Sequence, residues 1–419
     1  MDVMEIRLDQ PRRYEKLLIT ILFFAWGTVF LDRMSELYLA PYIVPEFHLT
    51  YEQVGMLASA LAITWAASTL LFGALSDRLG RRKILLPAMF AFSLLSWLSG
   101  MARSFDQLLL LRALMGLAEG PTWSIMTALI EESSPAERRG RNVGIVVSAA
   151  ALVGLAVAPV LSTQVASRWG WRWAFFVAGV PGFLFGWLMW KFVKEPPPKA
   201  SLDAKHARPT FSDYFSVLRY RNMWLCCLAA AGFISWLFLL NVFAPLYITR
   251  EAHQTATTAG FLLGASGLGS FFIGLVFPGL SDRFGRRPIL LLMACMCTVV
   301  PLALLIPYLY AVPWILATIL FLTNAGQGVA SLIMVLVPTE SVPPQFAATS
   351  IGLATLVGEL FGATAAPTIG GALAKRYGLA TPLWMAALGS AAIFLLTLLL
   401  RETAQTRATT VTVQSVVVR

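Results

Sequence analysis

Six ionisable side chains stand well inside long apolar runs: Asp32, Arg33 and Glu36 in the first, Arg112 and Glu119 in the fourth, and Glu359 in the eleventh. A charge at the centre of a bilayer costs at least about 2.5–3.5 kcal/mol, so each is a candidate for function. Buried acids and bases of this kind exchange protons, bind a charged solute, or pair and hold helices in register. Spacing narrows the choice. Asp32 and Glu36 are four apart and share a helix face, whereas Arg33 is turned by about 100° and reaches a different neighbour. Arg112 and Glu119 are seven apart, so they share a face too, about 10 Å apart along the axis. In the structural reading, Arg112 pairs with Asp32 across the first and fourth helices. Glu119 lies in GLAEGP, where Gly116, Gly120 and Pro121 thin the helix and open it to a cavity. Glu36 is nearer the outer end and reads equally as structural or gating. Glu359, in VGELFGATAAP, reads as a second protonation site or as a buried polar contact.

The elements that must position these groups are membrane helices. Hydrophobic residues make up 58% of the 419 and charged ones 13%, with mean hydropathy +0.71, which argues against a soluble domain of this length. A hydrocarbon core of roughly 30 Å takes apolar stretches of about 20 residues. Twelve are present, at approximately 15–40, 53–76, 84–101, 106–131, 141–166, 172–193, 222–249, 257–281, 288–310, 312–337, 346–373 and 380–400. Lone strands cannot satisfy their backbone in lipid, so all twelve are read as helices. The polar loop GALSDRLGRRK (Gly73–Lys83) returns as GLSDRFGRRP (Gly279–Pro288), with Asp77 and Asp282 separated by 205 residues. Both copies read Leu-Ser-Asp-Arg-x-Gly-Arg-Arg, and each joins two apolar runs. A membrane helix needs no such loop, so its recurrence at half-length marks two related halves. At a shift of 208, ESSPAERRGRNVG from Glu132 resembles ESVPPQFAATSIG from Glu340. The expected plan is a six-helix bundle over 1–194, a linker over 195–220 with a short surface helix near Phe211–Arg219, a second bundle over 221–401 and a tail over 402–419.

The net charge of +10 is placed, not spread. Basic residues gather in the N-terminal tail (Arg7, Arg12, Arg13, Lys16), in the two repeated loops, at Arg138–Arg141 and along Lys191–Arg221. Loops on the other face carry few. By the positive-inside rule both termini and the central linker are cytoplasmic. No folded basic domain with groove-reading elements is present, so nucleic acid is not an expected partner. There is no GxxxxGK[ST] for a P-loop. The three histidines, His48, His206 and His253, lie in loops or at span ends and form no metal cluster. Cys226/Cys227 and Cys295/Cys297 sit inside spans and read as apolar packing. No metal and no cofactor is expected. The glycines of GASGLGS (Gly264–Ser270) read as close helix contact.

Superposing the halves sets Glu119 against Asn324, in the patch Asn324-Ala-Gly-Gln327. The first half keeps the titratable groups, and the second offers neutral hydrogen-bonding groups at Asn241, Asn324 and Gln327. That asymmetry suggests ions are handled in the first half and substrate is shared by both. Tyr38 is among the aromatics placed to line a cavity or to pack. With these features the chain resembles the major facilitator superfamily over essentially its whole length. The repeated loop is similar to that superfamily's signature between helices two and three, RALMGLAEGP (Arg112–Pro121) to its helix-four pattern, and SPAERRGRNVG to the following loop. The resemblance implies an all-α integral membrane protein with twelve transmembrane helices in two pseudo-symmetric six-helix bundles. Asp32-Arg33 with Arg112 and Glu119 looks most like the anion:cation symporter group. That likeness implies that Arg33 binds a substrate carboxylate; Arg112, Tyr38, Asn241, Asn324 and Gln327 are further substrate candidates by their own positions. It implies that Asp32 and Glu119 take up protons; Glu36 and Glu359 are secondary candidates by their place within the spans. The loop residues Asp77, Arg78, Gly80, Arg81, Asp282, Arg283, Gly285 and Arg286 are implied to gate the cytoplasmic side. The chain departs from the pattern in several places. Ser134-Pro135 replaces an aromatic-Pro, helix seven lacks a charge, helix eight lacks an Asp/Arg pair, and PESPR is absent. Ala158-Pro159 stands where drug/proton antiporters carry Gly-Pro. The expectation is a monomeric symporter of the inner membrane, not an enzyme, moving a small organic anion with protons across the lipid bilayer. The alternatives are a proton-driven efflux antiporter for a hydrophobic or aromatic compound and a non-transporting sensor.

Overall fold

Among the residues described by the computed structural model (11–195, 216–343 and 346–404), the chain forms twelve helical rods and no strand. The side chains of Asp77 and Arg78, and residues 211–215 of the expected surface helix, lie outside the described residues. The first six rods are α1 (Pro11–Phe47), α2 (Tyr51–Leu79), α3 (Arg81–Gly100), α4 (Phe105–Ser133), α5 (136–169) and α6 (Trp171–Phe192). The second six are α7 (Arg221–Arg250), α8 (Ala256–Phe284), α9 (Arg286–Leu304), α10 (Pro313–Ser341), α11 (347–377) and α12 (Ala380–Leu399). Ten are long and apolar enough to cross a membrane, and α2 and α4, of 29 residues each, complete the set. α1 and α7 are the most enclosed, with 72% and 67% of their apolar windows buried against 39–50% for the other eight. They form the centre of the molecule. α9 is shorter than the expected run 288–310: it ends at Leu304, and Pro307–Ala311 forms a 3₁₀ turn. Proline disfavours helix in the residue before it, which accounts for the early stop.

The repeat seen in the loops extends through the backbone. Thr50 caps α2 by accepting from the Gln53 N–H at 3.3 Å, and Thr255 caps α8 by accepting from Thr258 at 3.1 Å. The turns into α3 and α9 pass through Gly80 and Gly285 at φ 108° and 98°, a region a side chain rarely adopts. α5 and α11 each contain an eight-residue π segment, Ala150–Val157 and Gly358–Ala365, ending at Ala158-Pro159 and Ala366-Pro367. Each proline removes a ladder donor, and the wider turns before it re-route the hydrogen bonds.

On the face carrying the repeated loops, each half is locked the same way. In the first half the Glu195 carboxylate accepts from the backbone N–H groups of Arg81 (2.6 Å) and Arg82 (2.8 Å), capping α3. The Arg81 guanidinium donates to Ser76 and Glu132. In the second half Glu402 accepts from Arg286 (2.8 Å) and Arg287 (3.0 Å), capping α9. Arg286 then pairs with Glu340 at 2.7 Å and with Asp282 at 2.6 Å. Arg283 is exposed and lies against its neighbour Phe284.

Contact between the halves lies toward the opposite face. α2 meets α11 where Ser59 and Thr368 share a hydrogen bond of 2.8 Å, and where Gly55 lies on the Pro367 carbonyl and Gly371 on that of Tyr51. α8 meets α5 through Gly260 on the Pro159 carbonyl, Gly264 on Ala156 and Gly267 on Leu155. A Cβ at any of these glycines would collide with backbone, which is the close helix contact expected of Gly264–Ser270.

Candidate functional site

The site is built on α1, whose middle turns face α4 on one side and the second half on the other. Arg112 of α4 is fully buried and its Nε lies 2.7 Å from Glu36 Oε2. Its Nη2 reaches Ser99 at 3.5 Å, and the guanidinium lies 5.4 Å from the Phe175 ring centre. The partner of Arg112 is therefore Glu36, not Asp32 as the structural reading of the sequence had it. One helical turn separates the two acids, and the axial offset of α4 against α1 selects the outer one.

Arg33 faces across to the second half. Its Nη2 donates to Glu359 Oε2 at 3.5 Å, and both side chains are nearly enclosed. Three rings surround the guanidinium: Trp65 at 5.1 Å, Phe238 at 5.2 Å and Phe30 at 5.8 Å from ring centre to Cζ. Among the described residues Arg33 Nε makes no hydrogen bond. The fork thus keeps capacity for a second acceptor.

Asp32 and Glu119 are fully buried, and no oxygen of either carboxyl group makes a hydrogen bond of good geometry among the described residues. Ser96 and Arg112 are the polar neighbours of Asp32, while Asp32, Arg33 and Arg112 are the charged neighbours of Glu119. Four acids and two arginines therefore share one buried region, with Glu36 and Glu359 each holding an arginine and Asp32 and Glu119 holding none.

The glycines and proline around Glu119 do not open the helix, contrary to expectation. Pro121 has no N–H for the Leu117 carbonyl, and Ser68 of α2 donates to that carbonyl at 2.6 Å instead. Thr69 donates to the Gly120 carbonyl at 2.8 Å. A Cβ at Gly116 would meet Thr64 and the Leu61 carbonyl, and one at Gly120 would meet Ser68. The GLAEGP segment seats α4 tightly on α2, and this is what buries Glu119.

The second-half candidates fall into two places. Asn241 accepts from Tyr38 Oη at 2.6 Å, a buried bond between α7 and α1 on the far side of Arg33 from the repeated loops. Asn324 donates to Ser266 at 2.8 Å and accepts from the Gly326 N–H at 3.0 Å, bridging a break in α10. The Gln327 backbone N–H bonds Ser270. Asn324 and Gln327 are thus placed on the α8–α10 contact. Sequence reasoning missed the ring cage. Phe30, one turn before Arg33, was its only available signal, since Trp65 and Phe238 reach the site from other helices. It also missed Glu195 and Glu402 as caps.

A small cavity beside Arg33 and Glu36 is lined by Leu37, Leu57, Ala58, Leu61 and Phe238. Among the described residues no group of three or more His, Cys, Asp or Glu is arranged to hold a metal ion.

Comparison with known proteins agrees with this architecture. The chain is 28% identical over 364 residues to a probable 4-methylmuconolactone transporter of Cupriavidus pinatubonensis, covering 85% of this chain and 83% of that one. It is 26% identical over 411 residues to a D-galactonate transporter of Escherichia coli O6:H1, covering 91% and 94%. The fold matches a crystal structure of a bacterial homologue of the human lysosomal transporter Spinster in an inward-facing, occupied conformation. The TM-score is 0.74 at 19% identity, over 92% of this chain and 97% of that one. The Major Facilitator Superfamily profile matches residues 21–366. With twelve helices in two repeated halves, a centre formed by α1 and α7, and that match, the chain is a multi-pass membrane transporter that belongs to the Major Facilitator Superfamily.

Proposed function

We propose that this transporter carries a small organic carboxylate together with protons, by alternating access, across the cytoplasmic membrane with both chain ends inside. The observation that carries the reading is the uneven pairing of the buried charges: two arginines, each held by one acid, and two further acids held by none. A carboxyl group without a partner crosses a membrane core most readily as the neutral acid, which suits Asp32 and Glu119 to taking up and releasing protons. Arg33 is suited to the anion. Its bond to Glu359 is long, its Nε is free, and a guanidinium binds a carboxylate through two parallel hydrogen bonds. Substrate would displace Glu359 from Arg33 and so loosen a tie between the halves. Arg112, held by Glu36 inside the first half, keeps α1 and α4 in register and sets the local field for both free acids. The placement of basic residues supports a cytoplasmic repeated-loop face. The closed opposite face then supports an inward-facing state. Relatives that carry a muconolactone and a sugar acid support an organic-acid substrate.

The test is flux in proteoliposomes with an imposed pH gradient and an internal pH dye. Carboxylate uptake with inward proton movement is the expected result. Opposite proton movement would establish antiport instead, and binding without flux would establish a sensor.

A further inference from the structure

We propose that Glu359 is an internal stand-in for the substrate: its carboxylate neutralises Arg33 while the carrier is unloaded, which lets the unloaded carrier cross back, and it gives way when a substrate carboxylate arrives. This rests on Arg33 as the carboxylate ligand of the proposed function. Among the described residues, Arg33–Glu359 is the one ion pair that joins the two halves. Arg33 stands at the middle of α1 and Glu359 in the π segment of α11, with the Tyr38–Asn241 and Ser59–Thr368 bonds between them and the outer face. Bundles that rock about a central site move least there, so the pair stays within reach in both orientations.

The pair is built as an exchangeable hold and not as a fixed brace. It is long, 3.5 Å from a single donor nitrogen, where Arg112 and Glu36 inside the first half stand at 2.7 Å. The acid is also no part of the repeated frame. Both π segments run for eight residues, and the second place is Ala151 in the first half and Glu359 in the second. Around it the backbone is fixed: a Cβ at Gly358 or Gly362 would come within 3.0 or 2.6 Å of Ile234 on α7. From the helices packed on this segment Arg33 is the charged neighbour, because α2 carries no charge between Glu52 and Asp77 and α7 none between Arg221 and Arg250. Asp32 and Glu119 also lie near Arg33, but they are the neutral acids of the proposed function. The carboxylate that answers the guanidinium is that of Glu359.

A guanidinium at membrane depth needs a counter-charge whenever water is shut out. Substrate supplies it in the loaded carrier, and Glu359 supplies it in the unloaded one. Two carboxylates thus compete for one fork. Removing the charge of Glu359 separates two activities that a general loss of function would lower together. Exchange of substrate for substrate never sends the carrier across unloaded, so it continues. Net transport needs that return step, which an unanswered charge slows by about 50-fold or more. Affinity rises, because the competitor is gone.

The experiment compares the full-length wild type with Glu359→Gln. Calorimetric titration with cis,cis-muconate, D-galactonate, glucuronate and succinate selects the acid that binds tightest. That acid, radiolabelled, is then followed in proteoliposomes at neutral pH on both sides, in exchange against itself and in net efflux into acid-free medium. Glu359→Gln is expected to bind it several-fold tighter, to exchange it within a few-fold of the wild-type rate, and to lose net efflux by about 50-fold or more. Exchange and net efflux falling together, or neither falling, overturns this inference and leaves a carboxylate transporter intact. Unchanged or weaker binding overturns it in the same way. Binding of none of the four acids by the wild type overturns the carboxylate reading itself. If Glu359→Gln does not fold, Glu359→Ala takes its place with the same expectations, and failure of both to fold makes Glu359 a structural brace, which also overturns the inference.

Discussion

The two halves match where they meet the repeated loops and differ at the centre. On the loop face Glu195 and Glu402 cap α3 and α9, and Arg81 and Arg286 reach Glu132 and Glu340, in the same arrangement. At the centre the first half carries Asp32, Arg33, Glu36, Arg112 and Glu119, with two acids unpaired. The second half contributes Glu359, while Asn241 and Asn324 have their hydrogen bonds made. On the proposed alternating access, the likeness belongs to mechanics, because two bundles that rock against each other need equivalent hinges and locks. On the proposed function, the difference belongs to cargo. A group already satisfied in one state has little reason to change partner in the next, whereas an orphaned acid does.

The largest effect should come from leaving Arg112 without its acid. Breaking one side of a buried pair costs about 3–5 kcal/mol, so Glu36→Gln should lower thermal stability markedly in detergent. Glu36→Gln combined with Arg112→Met should recover much of it. No recovery in the double variant would mean that Arg112 has work beyond holding Glu36. Next is Arg33→Lys, which removes the fork and keeps the charge. Carboxylate binding should fall by about 100-fold or more, and near-normal affinity would move the anion site away from Arg33. The smallest effect tests the matched locks. Partial burial alone would raise the pKa of Glu402, but the N–H groups of Ala404, Arg286, Arg287 and Thr403 outweigh it and hold the carboxyl below its ordinary value. Such a group adds stability above its unfolded pKa and loses it as pH falls through the lower folded one. Glu402→Gln should therefore lower stability modestly at neutral pH, change little at pH values below the folded pKa, and so flatten the acid limb of a stability–pH curve below about pH 4.5. An unchanged acid limb would show that the cap carries no stability.

Much of this was legible along the chain. Twelve runs, the 205-residue repeat and the six intramembrane charges follow from hydropathy and spacing. Which helical faces meet did not follow. Asp32 and Glu36 share a face, and only the axial fit of α4 on α1 gives Arg112 to Glu36. Arg33 and Glu359 are 326 residues apart, and nothing in either segment names the other. Pro121 read as a weakness in α4 because its substitute donor, Ser68, lies on another helix. The locks were half visible: Glu132 and Glu340 stood in the second repeat, while Glu195 and Glu402 lay at the edges of segments read as linker and tail.

The division of labour between the halves is tested most directly by separating exchange from accumulation in proteoliposomes. Glu119→Gln and Asp32→Asn each replace an unpaired acid by a neutral amide of nearly the same shape. If these acids carry the protons, each variant should still exchange substrate across the bilayer at a rate within a few-fold of the wild type, yet fail to concentrate it under a pH gradient. If both variants still accumulate substrate against its gradient, proton coupling does not reside in the first-half acids, and Glu359 becomes the group to replace.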